Sequence, residues 1–186
     1  KTKMNAEEYI WEQPSSSIEG VQFLRTKLKD YDGMIAVGSG TVSDSIKYAT
    51  FLEDKVYSVF ATTPMNAYTT GTASISFDGI KKSLVAHYAQ GVFFDLEVLS
   101  NCPKRLTAAA FADVICRTTA QVDWLMSHKL LNTDYKTTPY ELLALYEMDM
   151  INNASEIAAG KIDSLALLTL ISAIMGLGTS FTQTTH

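Results

Sequence analysis

The chain has 186 residues, 47% of them apolar and 19% charged, with a net charge of −5, which is the balance of a globular protein with a real core and not of a disordered one. That acidity, with no Lys/Arg cluster interleaved with aromatics, excludes an electrostatic case for nucleic acid as a partner. The two cysteines, Cys102 and Cys116, are too few and too far apart for a disulfide scaffold or a Cys-x-x-Cys site, and they suit a reducing, cytoplasmic setting.

The first residues run from Lys1 to Glu8 without the apolar stretch of a signal peptide. Pro14 to Ser17 predicts a loop and N-cap, followed from Ile18 by an amphipathic helix whose polar side carries Arg25, Lys27 and Lys29. Met34 to Val37 reads as a buried strand that stops in Gly38-Ser39-Gly40-Thr41. A helix restarts at once and runs to about Leu52, with Val42, Ile46 and Ala49 at helical spacing and Asp44 and Lys47 off that face. Val56 to Phe60, β-branched and aromatic, is a second strand. This rhythm predicts a parallel sheet with crossover helices. From Ala61 to Gly91 the segments are short and alternating, and Thr72 to Phe77 before Asp78-Gly79 predicts a hairpin. Gly91 to Asp95 is one more apolar run, and in open parallel sheets ligands sit at the carboxyl ends of such strands.

Beyond Pro103 the pattern turns helical. Phe111, Ile115, Thr118, Val122 and Leu125 recur along one helix face, leaving Asp113, Cys116, Arg117 and Ala120 on another. Thr138-Pro139-Tyr140-Glu141 reads as a capping box that starts a helix through about Ala159, which Gly160 can end. Asp163 then caps a helix that is apolar nearly all round and so is expected to be buried. Its most apolar run, Leu165 to Met175, is shorter than the ~20 residues of a bilayer span and contains Thr169 and Ser172. The expected fold is an α/β lobe with a parallel sheet (residues 1–100), followed by an all-helical lobe (residues 101–186), with the boundary near Ser100 to Pro103.

The turn after Val37 has the chemistry of a phosphate cradle. A helix entered from glycines points unpaired N–H groups and its positive end at whatever lies above the turn, and the missing side chains let a pyrophosphate approach. The same pattern also fits an ordinary strand-to-helix turn, because it lacks the third glycine of a dinucleotide fingerprint and the Gly-Lys-Ser/Thr of a P-loop.

Taken with Val59 to Thr70, Phe94 to Leu99, Pro103 to Asp113 and Asp123-Trp124, the segment Val37 to Tyr48 resembles the sn-glycerol-1-phosphate dehydrogenase branch of the iron-containing alcohol dehydrogenase superfamily. Glycerol dehydrogenase and dehydroquinate synthase are relatives in the same, dehydroquinate synthase-like, fold. The resemblance implies a metal-dependent, NAD- or NADP-linked oxidation of a small polyol or polyol phosphate, in a homo-oligomer holding Zn or Fe and without a membrane span. It places Gly38, Ser39, Gly40, Thr41 and Val42 at the cofactor pyrophosphate, where Ser39 replaces a usual glycine and is tolerated if its φ is negative. Thr62, Thr63 and Thr70 fall where family hydroxyls and backbone groups meet the cofactor. Asp113 falls on the metal-ligand aspartate, flanked by Ala110 and Ala112 where glycines are usual. Asn66 occupies the position of an aspartate that contacts substrate hydroxyls, and Ala67 that of a glycine. Asparagine keeps the hydrogen bonding but loses the charge.

Of the three histidines, His87 and His128 match no ligand position, and His186 is the candidate second ligand. The family's further histidine, its first βαβ portion and its last helices have no counterpart here, so the resemblance implies an incomplete nucleotide-binding lobe and an incomplete helical metal-binding lobe, belonging either to the central part of a longer chain or to a reduced relative. A dehydroquinate synthase-like lyase fits the segments less well. The alternative of a different class is a catalytically degenerate relative that serves as a nucleotide-binding or assembly module.

Overall fold

The computed structural model describes residues 6–182. Helix α1 (Ile18–Leu28) starts where Ser17 Oγ accepts the Gly20 N–H at 3.2 Å, satisfying one of the donors that a helix N-terminus leaves unpaired. There follow β1 (Gly33–Gly38), α2 (Gly40–Leu52), β2 (Val56–Ala61) and a single 3₁₀ turn, Asn66–Tyr68. Strands β3 (Thr72–Phe77) and β4 (Ile80–Val85) form the expected hairpin, and β5 (Val92–Phe94) returns to the main sheet. Asp78 and Gly79 both have positive φ, 49° and 80°, the requirement of the tight hairpin turn that Asp-Gly favours.

The main sheet has the order β1-β2-β5 and is parallel throughout. Helices α1 and α2 cover one of its faces, burying Val21, Leu24, Ile46 and Ala49 against Ala36, Tyr57 and Val59. Side chains alternate along a strand, so Ile35 and Val37 turn to the other face, where they and Phe93 are more than half exposed. Parallel sheets are apolar on both sides because both are normally covered. Among the described residues, helices cover this sheet on one side.

Asp95 opens the helical part. Its carboxylate accepts the N–H groups of Glu97 and Val98 at 2.9 and 3.2 Å and so caps α3 (Leu96–Ser100). Helices α4 (Lys104–Ile115), α5 (Arg117–Leu131), α6 (Thr138–Asn152), α7 (Ala154–Ala159) and α8 (Ile162–Thr182) follow. A second core gathers Ala110, Val114, Leu143, Met150, Ile157, Leu168, Ile171 and Met175. No helix among the described residues is long and apolar enough to cross a membrane.

Four expectations for this half need correction. The helix read through Phe111 and Leu125 is two helices meeting at Cys116, whose ψ of −12° re-aims the chain. Its buried face is Thr107, Ala110 and Val114, while Ile115, Val122 and Leu125 are exposed. The helix expected to reach Ala159 breaks at Asn153, although Gly160 does end it with a φ of 77°. No capping box forms: Thr137 is the N-cap, without a side-chain bond. Finally, α8 starts one residue before Asp163 and leaves Ile162, Leu170 and Leu177 exposed beside its buried stripe.

The two halves meet where α8 crosses the 3₁₀ turn. Thr69 Oγ1 donates to the Ala173 carbonyl at 2.9 Å. A Cβ on Gly176 would stand 2.5 Å from the Asn66 carbonyl oxygen and nearer still to Thr69 Oγ1, so only glycine permits this approach. Gly176→Ala is therefore expected to destabilise the fold by about 1–3 kcal/mol through overpacking. Urea denaturation checks this, and an unchanged midpoint would show that the two helical surfaces do not touch there.

Candidate active site

Three elements converge on the candidate site: the glycine turn at the β1/α2 junction, the 3₁₀ turn after β2, and the middle of α4. At the first, Gly38 has a φ of 155°, and a Cβ there would press on Val42 at 3.1 Å, so glycine is required. Ser39 is the N-cap of α2 with φ −79° and ψ 178°, an extended conformation open to any residue. Its hydroxyl makes no capping bond, which leaves the N–H groups of Gly40, Thr41 and Val42 in the first turn without a side-chain cap. A Cβ on Gly40 would reach Ala67 Cβ at 3.6 Å, ordinary contact. The turn therefore fits a pyrophosphate: an extended entry, a bare first turn and the positive end of α2.

The turn is braced from behind. The Gly38 carbonyl accepts the Thr62 N–H at 3.3 Å and the Tyr68 hydroxyl at 3.1 Å. Tyr68 has a single proton and spends it there, so Thr63 Oγ1, 2.5 Å away, donates to the tyrosine oxygen. Thr63 is buried. Thr70 is occupied as well, with its hydroxyl bonded to the Ala67 and Thr72 carbonyls and to Lys47. Of the three threonines set against the cofactor by sequence, two thus have hydroxyls engaged inside the protein, and Thr62 contributes its backbone to the turn.

Asn66 and Asp113 lie 47 residues apart in sequence and are brought together: Asn66 Nδ2 donates to Asp113 Oδ2 at 2.8 Å. Asn66 is 8% exposed and sits on the 3₁₀ turn, while Asp113 is half-buried on α4. An amide that donates to one carboxylate oxygen restricts how that carboxylate can turn. Cys116, one turn on, donates its thiol to the Asp113 backbone carbonyl at 3.0 Å. Burial, and then the Asp113 charge, push its pKa up, away from the thiolate a nucleophile needs.

The residue that sequence reasoning misplaced is Lys47. It is fully buried, and its Nζ donates to Ala67 O at 2.7 Å, Thr72 O at 2.9 Å and Thr70 Oγ1 at 3.0 Å. Asp44, at 3.4 Å, supplies the counter-charge and accepts the Ser74 N–H at 3.1 Å. Burial pushes the Asp44 carboxyl up and the Lys47 ammonium down, against the mutual attraction of the pair. The available signal was that Asp44 and Lys47 are the only acid and base in α2, spaced i,i+3.

The histidines do not join the site. His87 follows β4, stacks on Tyr57 at 5.2 Å and pairs with Thr50 Oγ1 at 3.0 Å. His128 Nδ1 donates to the Thr133 carbonyl at 2.6 Å. His186 lies outside the described residues. Among the described residues no group of three or more His, Cys, Asp and Glu could hold a metal ion. Asp113 is one carboxylate with an amide on one oxygen, so these residues do not by themselves fit a resident metal.

Residues 2–103 match the family model for iron-containing alcohol dehydrogenases. The chain is 30% identical over 141 residues to a glycerol-1-phosphate dehydrogenase [NAD(P)+] of Geobacillus thermodenitrificans, covering 75% of this chain and 35% of that protein. To the glycerol-1-phosphate dehydrogenase [NAD(P)+] of Pyrococcus abyssi it is 32% identical over 140 residues, covering 74% and 40%. The chain thus spans little more than a third of the length of the curated relatives it matches. In fold it resembles the crystal structure of a probable glycerol dehydrogenase from Sinorhizobium meliloti, with a TM-score of 0.74 at 14% identity over 90% of this chain and 52% of that one.

Two outcomes follow from this geometry. Asp113→Ala leaves the Asn66 amide without its acceptor and is expected to cost about 1–3 kcal/mol in chemical denaturation; no loss would mean that the pair does not form. Burial, and then the Lys47 charge, hold the His87 pKa below its ordinary value. The folded state therefore takes up that proton at lower pH than the unfolded one, and the stability His87 contributes is full above about pH 6.5 and falls as the pH drops below it. Melting temperatures across that range should show the loss, with a flatter profile in His87→Phe.

Proposed function

The chain belongs to the iron-containing alcohol dehydrogenase family, and from that premise we propose that it is the central part of an NAD(P)-linked oxidoreductase acting on the hydroxyl of a small polyol or polyol phosphate. The observation that carries this reading is that one 3₁₀ turn serves both halves of such a site. Tyr68 holds the carbonyl of the glycine turn, and Asn66, two residues earlier, holds the Asp113 carboxylate.

In this reading the N–H groups of Gly40, Thr41 and Val42 bind the cofactor pyrophosphate, and the open backbone at Gly38 to Gly40 lets it approach. NAD(P)+, when bound, supplies the hydride acceptor. Asp113 is the anionic group toward which a substrate hydroxyl orients, and Asn66 restricts how its carboxylate turns. Iron, which the family description names, or zinc would draw further donors from outside the described residues. The names of the relatives, which carry glycerol 1-phosphate and NAD(P)+, support the substrate and cofactor class. We place the lobe boundary near Ser100 to Pro103, between the two hydrophobic cores. A homo-oligomer in the cytoplasm, without a nucleic-acid partner, completes the proposal, and the acidic net charge supports its last element.

The test is turnover by the full-length protein with NAD+ or NADP+ and a panel of polyols and polyol phosphates. Asp113→Ala is expected to lower kcat/KM by about 100-fold, ~2.7 kcal/mol of transition-state stabilisation. Undiminished activity in that variant would remove Asp113 from the chemistry. Wild-type protein that binds nucleotide but turns over nothing would favour the nucleotide-binding module instead.

A further inference from the structure

Lys47 belongs to the helix that starts at the glycine turn, yet its three shortest hydrogen bonds leave that helix, and only the longer contact to Asp44, at 3.4 Å, stays within it. All three strong acceptors, Ala67 O, Thr70 Oγ1 and Thr72 O, lie on the six-residue stretch from Ala67 to Thr72. The first of them is the carbonyl of the residue that follows Asn66. Asp44, one turn earlier on α2, holds the next stretch through the Ser74 N–H. A buried ammonium needs its full complement of acceptors, so moving this segment would strand the charge. Most buried lysines that only fill space would be replaceable by methionine; this one is placed to hold a backbone.

We propose that Lys47 is a positioning residue that locks the Asn66-bearing segment in register with the glycine turn, and through the Asn66 amide sets where Asp113 stands relative to a nucleotide on α2. The inference rests on the reading of Asp113 and the glycine turn given above. It differs from a plain stability role in what it moves: the loss falls on the Asn66–Asp113 end, not on the turn that α2 builds with its own backbone.

The experiment uses the full-length protein and Lys47→Met, with hydrogen exchange of the Asn66 side-chain amide as the first readout. That exchange is expected to speed up by about 10-fold or more, while backbone amides of α2 keep their protection and the affinity for NADH or NADPH stays within about threefold. The kcat with the best polyol should fall by about 30-fold in the same variant. Equal loss of protection along α2, a parallel fall in nucleotide affinity, or unaltered Asn66 exchange would each overturn the proposal. Should Lys47→Met fail to fold, Thr70→Val decides: it removes one of the three acceptors and is expected to speed Asn66 exchange by about threefold, and an unchanged rate overturns the proposal. Wild-type protein without turnover would sink the dehydrogenase reading alone, because the exchange measurement stands without it.

Discussion

Nearly every contact that matters in this molecule passes through the 3₁₀ turn Asn66–Tyr68 and its flanks. Tyr68, fully buried, holds the Gly38 carbonyl, Lys47 holds the Ala67 carbonyl, and Asn66 holds Asp113. Thr69 bonds the α8 backbone at Ala173, and Gly176 brings that helix into direct contact. Each neutral hydrogen bond contributes only about 1 kcal/mol net, and those to charged groups about 1.5–3. Their weight comes from concentration: a few consecutive residues fix the first sheet, its second helix and two helices of the other core relative to one another.

Much of this fold was legible in the sequence because local chemistry decides it. The Ser17 cap, the glycine turn, the Asp78-Gly79 hairpin and the left-handed Gly160 all depend on residues within a turn of themselves, and all are where the pattern puts them. The breaks at Cys116 and Asn153 were not legible. Neither residue is a proline or glycine, and the apolar spacing runs straight through both, so only packing of α4 and α7 against α8 shows that the chain changes direction there. The exposed face of α5 shows the same limit. Val122 and Leu125 have helical spacing, but periodicity states which residues share a face and not whether anything covers it.

The site divides in the same way. Its residue types could be read from the resemblance, and the structure adds which of them touch. Asn66 and Asp113 form one unit, whereas Thr63 and Thr70 point their hydroxyls at protein partners. Helical spacing puts Lys47 off the apolar face, the usual place for a lysine, since charged side chains are almost never fully buried unless paired. Its pairing depends on carbonyls 20 and 25 residues away, which no helical period can reveal. The exposed apolar faces of the sheet and of α5 and α6 fit a chain that spans little more than a third of its curated relatives.

The central claim is that the nucleotide turn and Asp113 are held by one element. The most direct measurement is the NMR signal of the Asn66 side-chain amide in the full-length protein as NAD+ is added to saturation. Asn66 makes no part of the proposed pyrophosphate cradle, so its signal should move only through Tyr68 and Lys47. The account predicts a clear shift in the wild type that is largely lost in Tyr68→Phe, whose ring can no longer hold the Gly38 carbonyl. A signal that stays put on nucleotide binding, or moves equally in both proteins, would contradict it.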